Sequence, residues 1–131
     1  MSVNEVKLKK ATTPLTILGN GPATSRTFCI GDEDHTLGNA LRHILIRQRD
    51  VNFAGYSVPH PSEPFVHIRV QTSSDETAAA ALHQSCQTLS QQCQLVLEQL
   101  ERLVPATKED RIRIEEALLE DAEDDEDEME E

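Results

Sequence analysis

Three consecutive carboxylates followed by a histidine form the densest group of chemically capable side chains in the sequence. Asp32, Glu33, Asp34 and His35 could bind a divalent cation or transfer protons. Consecutive side chains splay apart, however, and no glycine-containing calcium loop follows them. The pattern favours helix capping instead, because Asp34 or Thr36 can accept hydrogen bonds from the free N–H groups of a first helical turn.

The other histidines and the cysteines lack the spacing of a metal site or a catalytic pair. No two of the five histidines lie four residues apart, as they would on one face of a metal-binding helix. Cys86 and Cys93 lie seven residues apart among leucines, which indicates buried, unreactive thiols. Phosphate-binding loops, nucleophile elbows and HExxH motifs are absent from the sequence. We therefore expect no catalytic residue, no bound metal and no cofactor.

The net charge of −12 is concentrated at one end of the 131-residue chain. Residues 120–131 contain ten acidic side chains and no basic one, and without them the net charge is −2. A nearly neutral body is not typical of a nucleic-acid-binding protein, so no direct nucleic-acid contact is expected. Three cysteines without a CxxC pair argue against a disulfide scaffold. The absence of a long apolar segment predicts a soluble intracellular chain that does not contact membranes.

Hydrophobic periodicity predicts an α+β fold with the order β-β-α-β-β-α. Strands are expected at 15–18, 24–30, 51–58 and 65–71, and helices at about 36–48 and from Asp75 or Thr77 to about Leu103. The two helices would cover one face of a small, mostly antiparallel four-stranded sheet. A bulge is expected at Ala54–Gly55, where the inward alternation changes from Phe53 to Tyr56.

Composition divides the chain into four segments. Residues 1–14 are expected to be a flexible arm, 15–104 the folded domain, 105–119 a possible helical extension, and 120–131 a disordered acidic tail.

The second predicted helix carries an apolar seam at heptad spacing. The seam consists of Leu82, Cys86, Leu89, Cys93, Val96, Leu100 and Leu103. A helix of this length extends about 40 Å at ~1.5 Å per residue, which is more than a small sheet covers. The seam could be entirely internal core, or it could be shared between the core and a partner chain, and the length favours sharing.

Three sequence blocks together resemble the small alpha-like subunits of multisubunit RNA polymerases. The blocks are EDHTLGNALR at 33–42, FAGYSVPHPSE at 53–63 and IRVQT at 68–72. They occur in the order and at the short spacings typical of that family, and the resemblance covers about residues 15–103. It implies the fold of the RNA polymerase alpha-subunit dimerisation domain.

The resemblance also implies a function. The chain would be a non-catalytic scaffold that forms a heterodimer with the larger alpha-like subunit, on which the large catalytic subunits assemble in the nucleus, including the nucleolus. Asn39–Arg42 and His60–Glu63 are more similar to the subunit shared by RNA polymerases I and III than to its RNA polymerase II equivalent. An acidic chaperone-like binding module and a homodimeric fold with its own activity are the alternatives.

Finally, the resemblance implies which residues meet the partner. The expected interface comprises Leu37, Gly38, Leu41, Ile44 and Leu45 of the first helix and Cys86, Leu89, Cys93, Val96 and Leu100 of the second. The polar motif residues Asp34, His35, Thr36, Asn39 and Arg42 could serve as local caps or could hydrogen-bond a neighbouring subunit. Pro59, His60 and Pro61 could form a rigid turn or a docking loop.

Overall fold

A computed structural model describes residues 15–129 of the chain, with side chains described as far as Glu120. The strands are β1 (Thr16–Leu18), β2 (Ser25–Gly31), β3 (Val51–Ser57) and β4 (Phe65–Thr72), and the helices are α1 (His35–Leu45), α2 (Ala78–Leu103) and α3 (Thr107–Met129). These residues divide into two compact units, which we call the sheet unit (15–92) and the helical unit (93–129). The expected arm, residues 1–14, lies outside the described residues.

The sheet unit contains one antiparallel sheet with the strand order β1-β2-β4-β3. Its two central strands pair in a register that places Phe28 opposite Ile68 and Ile30 opposite Val66. The short β1 and the longer β3 are the two edges. The predicted α+β class and the order β-β-α-β-β-α are confirmed, and α3 follows where a possible helical extension was expected.

The core lies between one face of the sheet and the two helices of the sheet unit. Val66, Ile68 and Val70 alternate along β4 and are fully buried, as the period of two predicts. Leu41 and Leu45 of α1 and the small side chains at the start of α2 pack into the same cluster. Thr77 caps α2, since its hydroxyl oxygen accepts a hydrogen bond from the Ala80 N–H at 3.1 Å.

The bulge in β3 is at a different position from the predicted one. Val51 lies opposite Thr72 and Phe53 lies opposite Gln71, so the extra residue is Asn52. Because Asn52 is the extra residue, Ala54 and not Phe53 faces the core. Inward and outward residues then alternate regularly past Gly55. The prediction of a bulge at Ala54–Gly55 was wrong because it assumed that Phe53 faces the core, whereas Phe53 is half exposed.

The helix ends also differ from the expected positions. Helix α1 stops at Leu45 and not near residue 48, and a turn follows in which the Gln48 side chain donates a hydrogen bond to the Ala81 carbonyl at 2.9 Å. Helix α3 continues to Met129, through most of the segment expected to be a disordered tail. No glycine or proline follows Pro105, so this segment contains no strong helix breaker.

Among residues 15–129, none of the helices combines the length and hydropathy required to cross a membrane.

Helix α1 approaches the sheet most closely at Gly38. A Cβ atom at this position would lie 2.6 Å from Cδ2 of Tyr56 and 2.8 Å from Cγ2 of Val66. Both distances are well inside van der Waals contact, so the position has no room for a side chain. This contact explains a glycine in the first turns of a helix, where it would otherwise be unfavourable.

We predict that Gly38→Ala destabilises the sheet unit by about 1–3 kcal/mol, because overpacking against Tyr56 and Val66 outweighs the gain in helix propensity. Urea unfolding followed by circular dichroism measures the change. His43→Ala, at an exposed position of the same helix, is the control and should change stability by less than about 0.5 kcal/mol. A Gly38→Ala protein as stable as the wild type would contradict the close contact.

Candidate partner interface

The start of α1 is fixed by a side-chain N-cap and by a reversal of the chain just before it. Asp34 has an extended backbone, and its carboxylate accepts a hydrogen bond from the Thr36 N–H at 2.9 Å. Of the two predicted caps, Asp34 is therefore the one used. Asp32 occupies the left-handed region with φ of 57°, where the chain turns out of β2. The Glu33 N–H donates to the Pro64 carbonyl at 3.3 Å, which ties this corner to the proline-rich loop.

The polar motif side chains of α1 make hydrogen bonds within the chain. Nδ1 of His35 lies 3.1 Å from the hydroxyl of Tyr56, and the two rings meet edge to face with centroids 5.6 Å apart. One turn later, Arg42 donates a hydrogen bond to the Asn39 amide oxygen at 3.0 Å. These contacts hold the side chains in defined positions at the protein surface, where hydrogen-bonding capacity remains for a neighbouring molecule.

These side chains border a groove of about 500 Å³ between α1 and the part of α2 in the sheet unit. The groove is lined by His35, Thr36, Asn39, Ala40, Arg42, His43, Ile44, Leu89 and Gln92. Sequence reasoning placed the polar motif and Leu89 in an interface, but it did not include Ala40, His43 or Gln92. These three residues could have been predicted, because each lies on the same face of its helix as residues that were assigned to the interface. The mixture of donors, acceptors and an apolar floor suits protein–protein contact.

Four of the five α1 residues expected at the interface are instead buried within the chain, although Ile44 also lines the groove. Leu41 and Leu45 are 1% and 0% exposed, and Gly38 and Ile44 are also buried. Leu37 is half-buried and packs against the core. A partner therefore cannot contact Leu41 or Leu45 directly. Their spacing indicated an apolar face correctly, but that face belongs to the intramolecular core.

The α2 seam is buried only near its start. Leu82 is in the core and Leu89 is half-buried against it, whereas every residue from Ser90 to Leu100 is exposed. The expectation that Cys86 and Cys93 are buried was wrong, since both thiols lie on the exposed part of the helix. No element of the sheet unit covers α2 beyond Leu89, which accounts for the exposure of Cys93. Around Cys86 the buried face of α2 is formed by Leu82 and Ser85, and Cys86 lies outside it.

The thiol of Cys86 is nevertheless a poor nucleophile at neutral pH. Partial burial raises its pKa above the ordinary value of 9.0, and a hydrogen bond with Ser85 lowers it by a smaller amount. The thiolate, which is the reactive form, is correspondingly scarce near pH 7.

The loop between β3 and β4 presents its residues to solvent. Pro59, His60 and Pro61 are all exposed. The Ser62 hydroxyl lies 2.8 Å from Nδ1 of His60, and the Glu63 N–H donates to the His60 carbonyl at 3.3 Å. The loop is therefore a locally bonded turn whose outer surface is available for contact.

Within the part of the chain that the structure describes, no three histidine, cysteine, aspartate or glutamate side chains lie close enough to hold a metal ion. The three acids near α1 serve the corner described above.

Comparison with known proteins gives the same fold family from independent data. Residues 25–99 match the family model described as the RNA polymerase Rpb3/Rpb11 dimerisation domain. The chain is 39% identical over 104 residues to the Schizosaccharomyces pombe protein named DNA-directed RNA polymerases I and III subunit RPAC2, covering 78% of this chain and 83% of that one. The Saccharomyces cerevisiae protein of the same name is 49% identical over 73 residues, which is 56% of this chain and only about half, 51%, of the yeast protein.

A solved structure extends the comparison to the arrangement of the backbone. DNA-directed RNA polymerase subunit L from Thermoplasma acidophilum superposes with a TM-score of 0.60, covering 74% of this chain and 94% of that chain. At 21% sequence identity the likeness concerns the fold alone.

We predict that alkylation of Cys86 is slow in the folded chain at pH 7.5 and accelerates as the pH rises towards the raised pKa. A variant with Cys29→Ser and Cys93→Ser isolates this thiol for measurement with iodoacetamide and mass spectrometry. The same variant unfolded in urea is the control and should react faster at pH 7.5. A folded-to-unfolded rate ratio that does not change with pH would contradict the assignment.

Proposed function

The chain belongs to the RNA polymerase Rpb3/Rpb11 dimerisation-domain family, and from this premise we propose that it is the non-catalytic scaffold subunit shared by RNA polymerases I and III. In this role it forms a heterodimer with the larger alpha-like subunit. The heterodimer is the platform on which the large catalytic subunits assemble.

The observation that carries the proposal is the uncovered apolar surface of α2. Cys93, Val96 and Leu103 continue the heptad seam beyond the sheet unit, and all three are exposed. A sustained seam of this kind is typical of helices that pack on another helix. The matched family region extends to residue 99 and so includes most of it.

The groove between α1 and α2 supplies a second contact surface for the same partner. Leu89 gives it an apolar wall, and His35, Asn39 and Arg42 stand at its edge in fixed positions. Apolar area provides most of the affinity of such an interface, while positioned polar groups select the partner and its orientation.

Nucleotidyl transfer is assigned to other subunits. The sequence lacks the motifs of nucleotide-binding and nucleophilic enzymes. The magnesium-dependent chemistry would therefore be carried by the largest subunits, and this chain would contribute binding surfaces only.

Membership of RNA polymerases I and III is favoured over RNA polymerase II by the relatives. Both yeast proteins described above are named as subunits of polymerases I and III. The motif residues Asn39–Arg42 and His60–Glu63 point the same way. Under this proposal the protein acts in the nucleus, including the nucleolus.

We predict that Val96→Asp weakens binding of the larger alpha-like subunit by more than about tenfold, because it places an unpaired charge in the apolar seam. Leu95→Asp is a closely matched control: Leu95 is 58% exposed and Val96 65%, but Leu95 lies about 100° around α2 from Val96 and outside the heptad seam. Co-expression with the tagged larger subunit, followed by quantitative pull-down, measures the difference. Equal binding by the two variants would contradict the proposed seam.

Affinity purification of the wild-type chain tests which enzymes it joins. The expected result is co-elution of the large subunits of RNA polymerases I and III, whereas co-elution of only the RNA polymerase II subunits would overturn the assignment. Leu41→Asp is unsuitable for these tests, since Leu41 is a core residue and its loss would unfold the sheet unit.

The chaperone-like alternative is tested by truncation. If the acidic segment were the functional part, removing residues 120–131 would abolish partner binding. We predict that a chain ending at Leu119 retains the larger alpha-like subunit at the wild-type level, because the seam and the groove are intact. Loss of binding in this truncation, measured in the same pull-down, would favour the alternative.

A further inference from the structure

In the helical unit, a charged side chain of α3 bonds to the distal part of α2. The distal part of α2 is followed by α3, and Arg111 of α3 bonds to Glu115 at 2.9 Å and to Glu101 of α2 at 3.0 Å. The carboxylates of Glu115 and Glu101 raise the pKa of Arg111, which therefore keeps its positive charge. These bonds fix α3 beside α2.

A groove of about 300 Å³ lies between these two helices. Its apolar side chains are Leu97, Leu100 and Ile114. Its charged side chains are Glu101, Asp110, Glu115 and Arg111, and Arg111 is bonded to both glutamates. We call this surface the hairpin groove. It is separate from the seam positions Val96 and Leu103, although Leu100 belongs to the seam by its spacing and also lines the groove.

The helical unit leaves many of its large apolar side chains exposed. The large apolar side chains that remain substantially exposed are Leu95, Val96, Leu97, Leu100, Leu103, Val104, Ile112, Ile114, Leu118 and Leu119. Contiguous exposed apolar patches on soluble proteins mark contact sites. The seam accounts for only part of this set, so the hairpin groove requires its own occupant.

The charge of the helical unit identifies the chemistry of that occupant. Residues 93–129 contain fourteen acidic and four basic side chains. A second copy of this chain would bring the same excess of negative charge and would be repelled. A segment rich in lysine or arginine would be attracted by this excess of negative charge, and the groove lining, with three carboxylates against one guanidinium, would favour it while its apolar side chains fill the groove.

We propose that the hairpin groove binds a basic amphipathic helix of another polypeptide. A groove between two antiparallel helices fits a third helix, whose apolar residues at i, i+3, i+4 and i+7 would contact Leu97, Leu100 and Ile114. This interaction goes beyond the heterodimer proposed above. It gives the subunit a further docking surface, which selects positively charged segments.

The experiment uses the full-length chain and three synthetic peptides of about 20 residues, long enough to form a helix. The first alternates leucine and lysine with the spacing of an amphipathic helix. The second has the same composition in a scrambled order without an apolar face, and the third has glutamate in place of every lysine. Fluorescence anisotropy at low and at high salt gives the affinities.

The first peptide is expected to bind at least about tenfold more tightly than either of the others, with affinity falling as salt rises. Equal binding of the first and second peptides would mean that only non-specific charge attraction is present, and it would overturn the proposal. Preference for the glutamate peptide would also overturn it.

Two variants locate the binding site. Ile114→Gln removes an apolar side chain that lines the groove and is 49% exposed. Ile112→Gln, on the same helix, removes an apolar side chain that is 45% exposed and does not line the groove. We expect about a tenfold loss of affinity for the first peptide with Ile114→Gln and less than about a twofold loss with Ile112→Gln. Circular dichroism verifies that both variants keep their helices. Equal effects would place the peptide elsewhere and contradict the hairpin groove.

These variants leave Val96 unchanged. A wrong peptide-binding proposal can therefore be distinguished from a wrong heterodimer proposal. Ile114→Gln should bind the larger alpha-like subunit normally even if it loses the peptide. A chain that binds the peptide but not the subunit would retain the hairpin groove and reject the proposed function.

Discussion

The limited reach of a four-stranded sheet determines how the rest of this molecule is arranged. Packing of α1 and of the first turns of α2 against Val66, Ile68 and Val70 buries a small, complete core. Burial on α2 then ends, while the apolar pattern of the helix continues. Since burial of apolar area is the main favourable term in both folding and association, the uncovered length of α2 is best understood as binding surface.

The core and the candidate interface are therefore built from the same kinds of apolar side chain. Leu41 and Val96 occupy equivalent apolar positions in their helical patterns, yet one is covered by the chain itself and the other is 65% exposed. Sequence periodicity reports only that a face is apolar. It does not report what covers that face, because coverage depends on how far the neighbouring elements extend in three dimensions. For this reason Leu41 and Leu45 belong to the core, and the uncovered apolar surface of the candidate interface lies on α2.

Local chemistry was easier to predict than burial. The strand β4, the caps at Asp34 and Thr77 and the need for a close approach at Gly38 follow from short-range geometry, which the sequence encodes directly. The position of the β3 bulge was missed because an aromatic residue was assumed to face inward, and Phe53 instead packs over Gly55 on the other face. The exposure of both α2 cysteines was missed for a similar reason, since residue type is only a weak guide to burial.

The bulge at Asn52 has a consequence for the protein before it meets a partner. Strand β3 is an edge of the sheet, and its outer backbone groups are open to pairing with the edge of another molecule. An extra residue interrupts the regular hydrogen-bonding repeat and increases local twist, so a second strand cannot align along the full length of β3. The opposite edge, β1, is only three residues long. Both edges therefore resist aggregation of newly synthesised, unassembled chains, a protection that a subunit made separately from its complex would need.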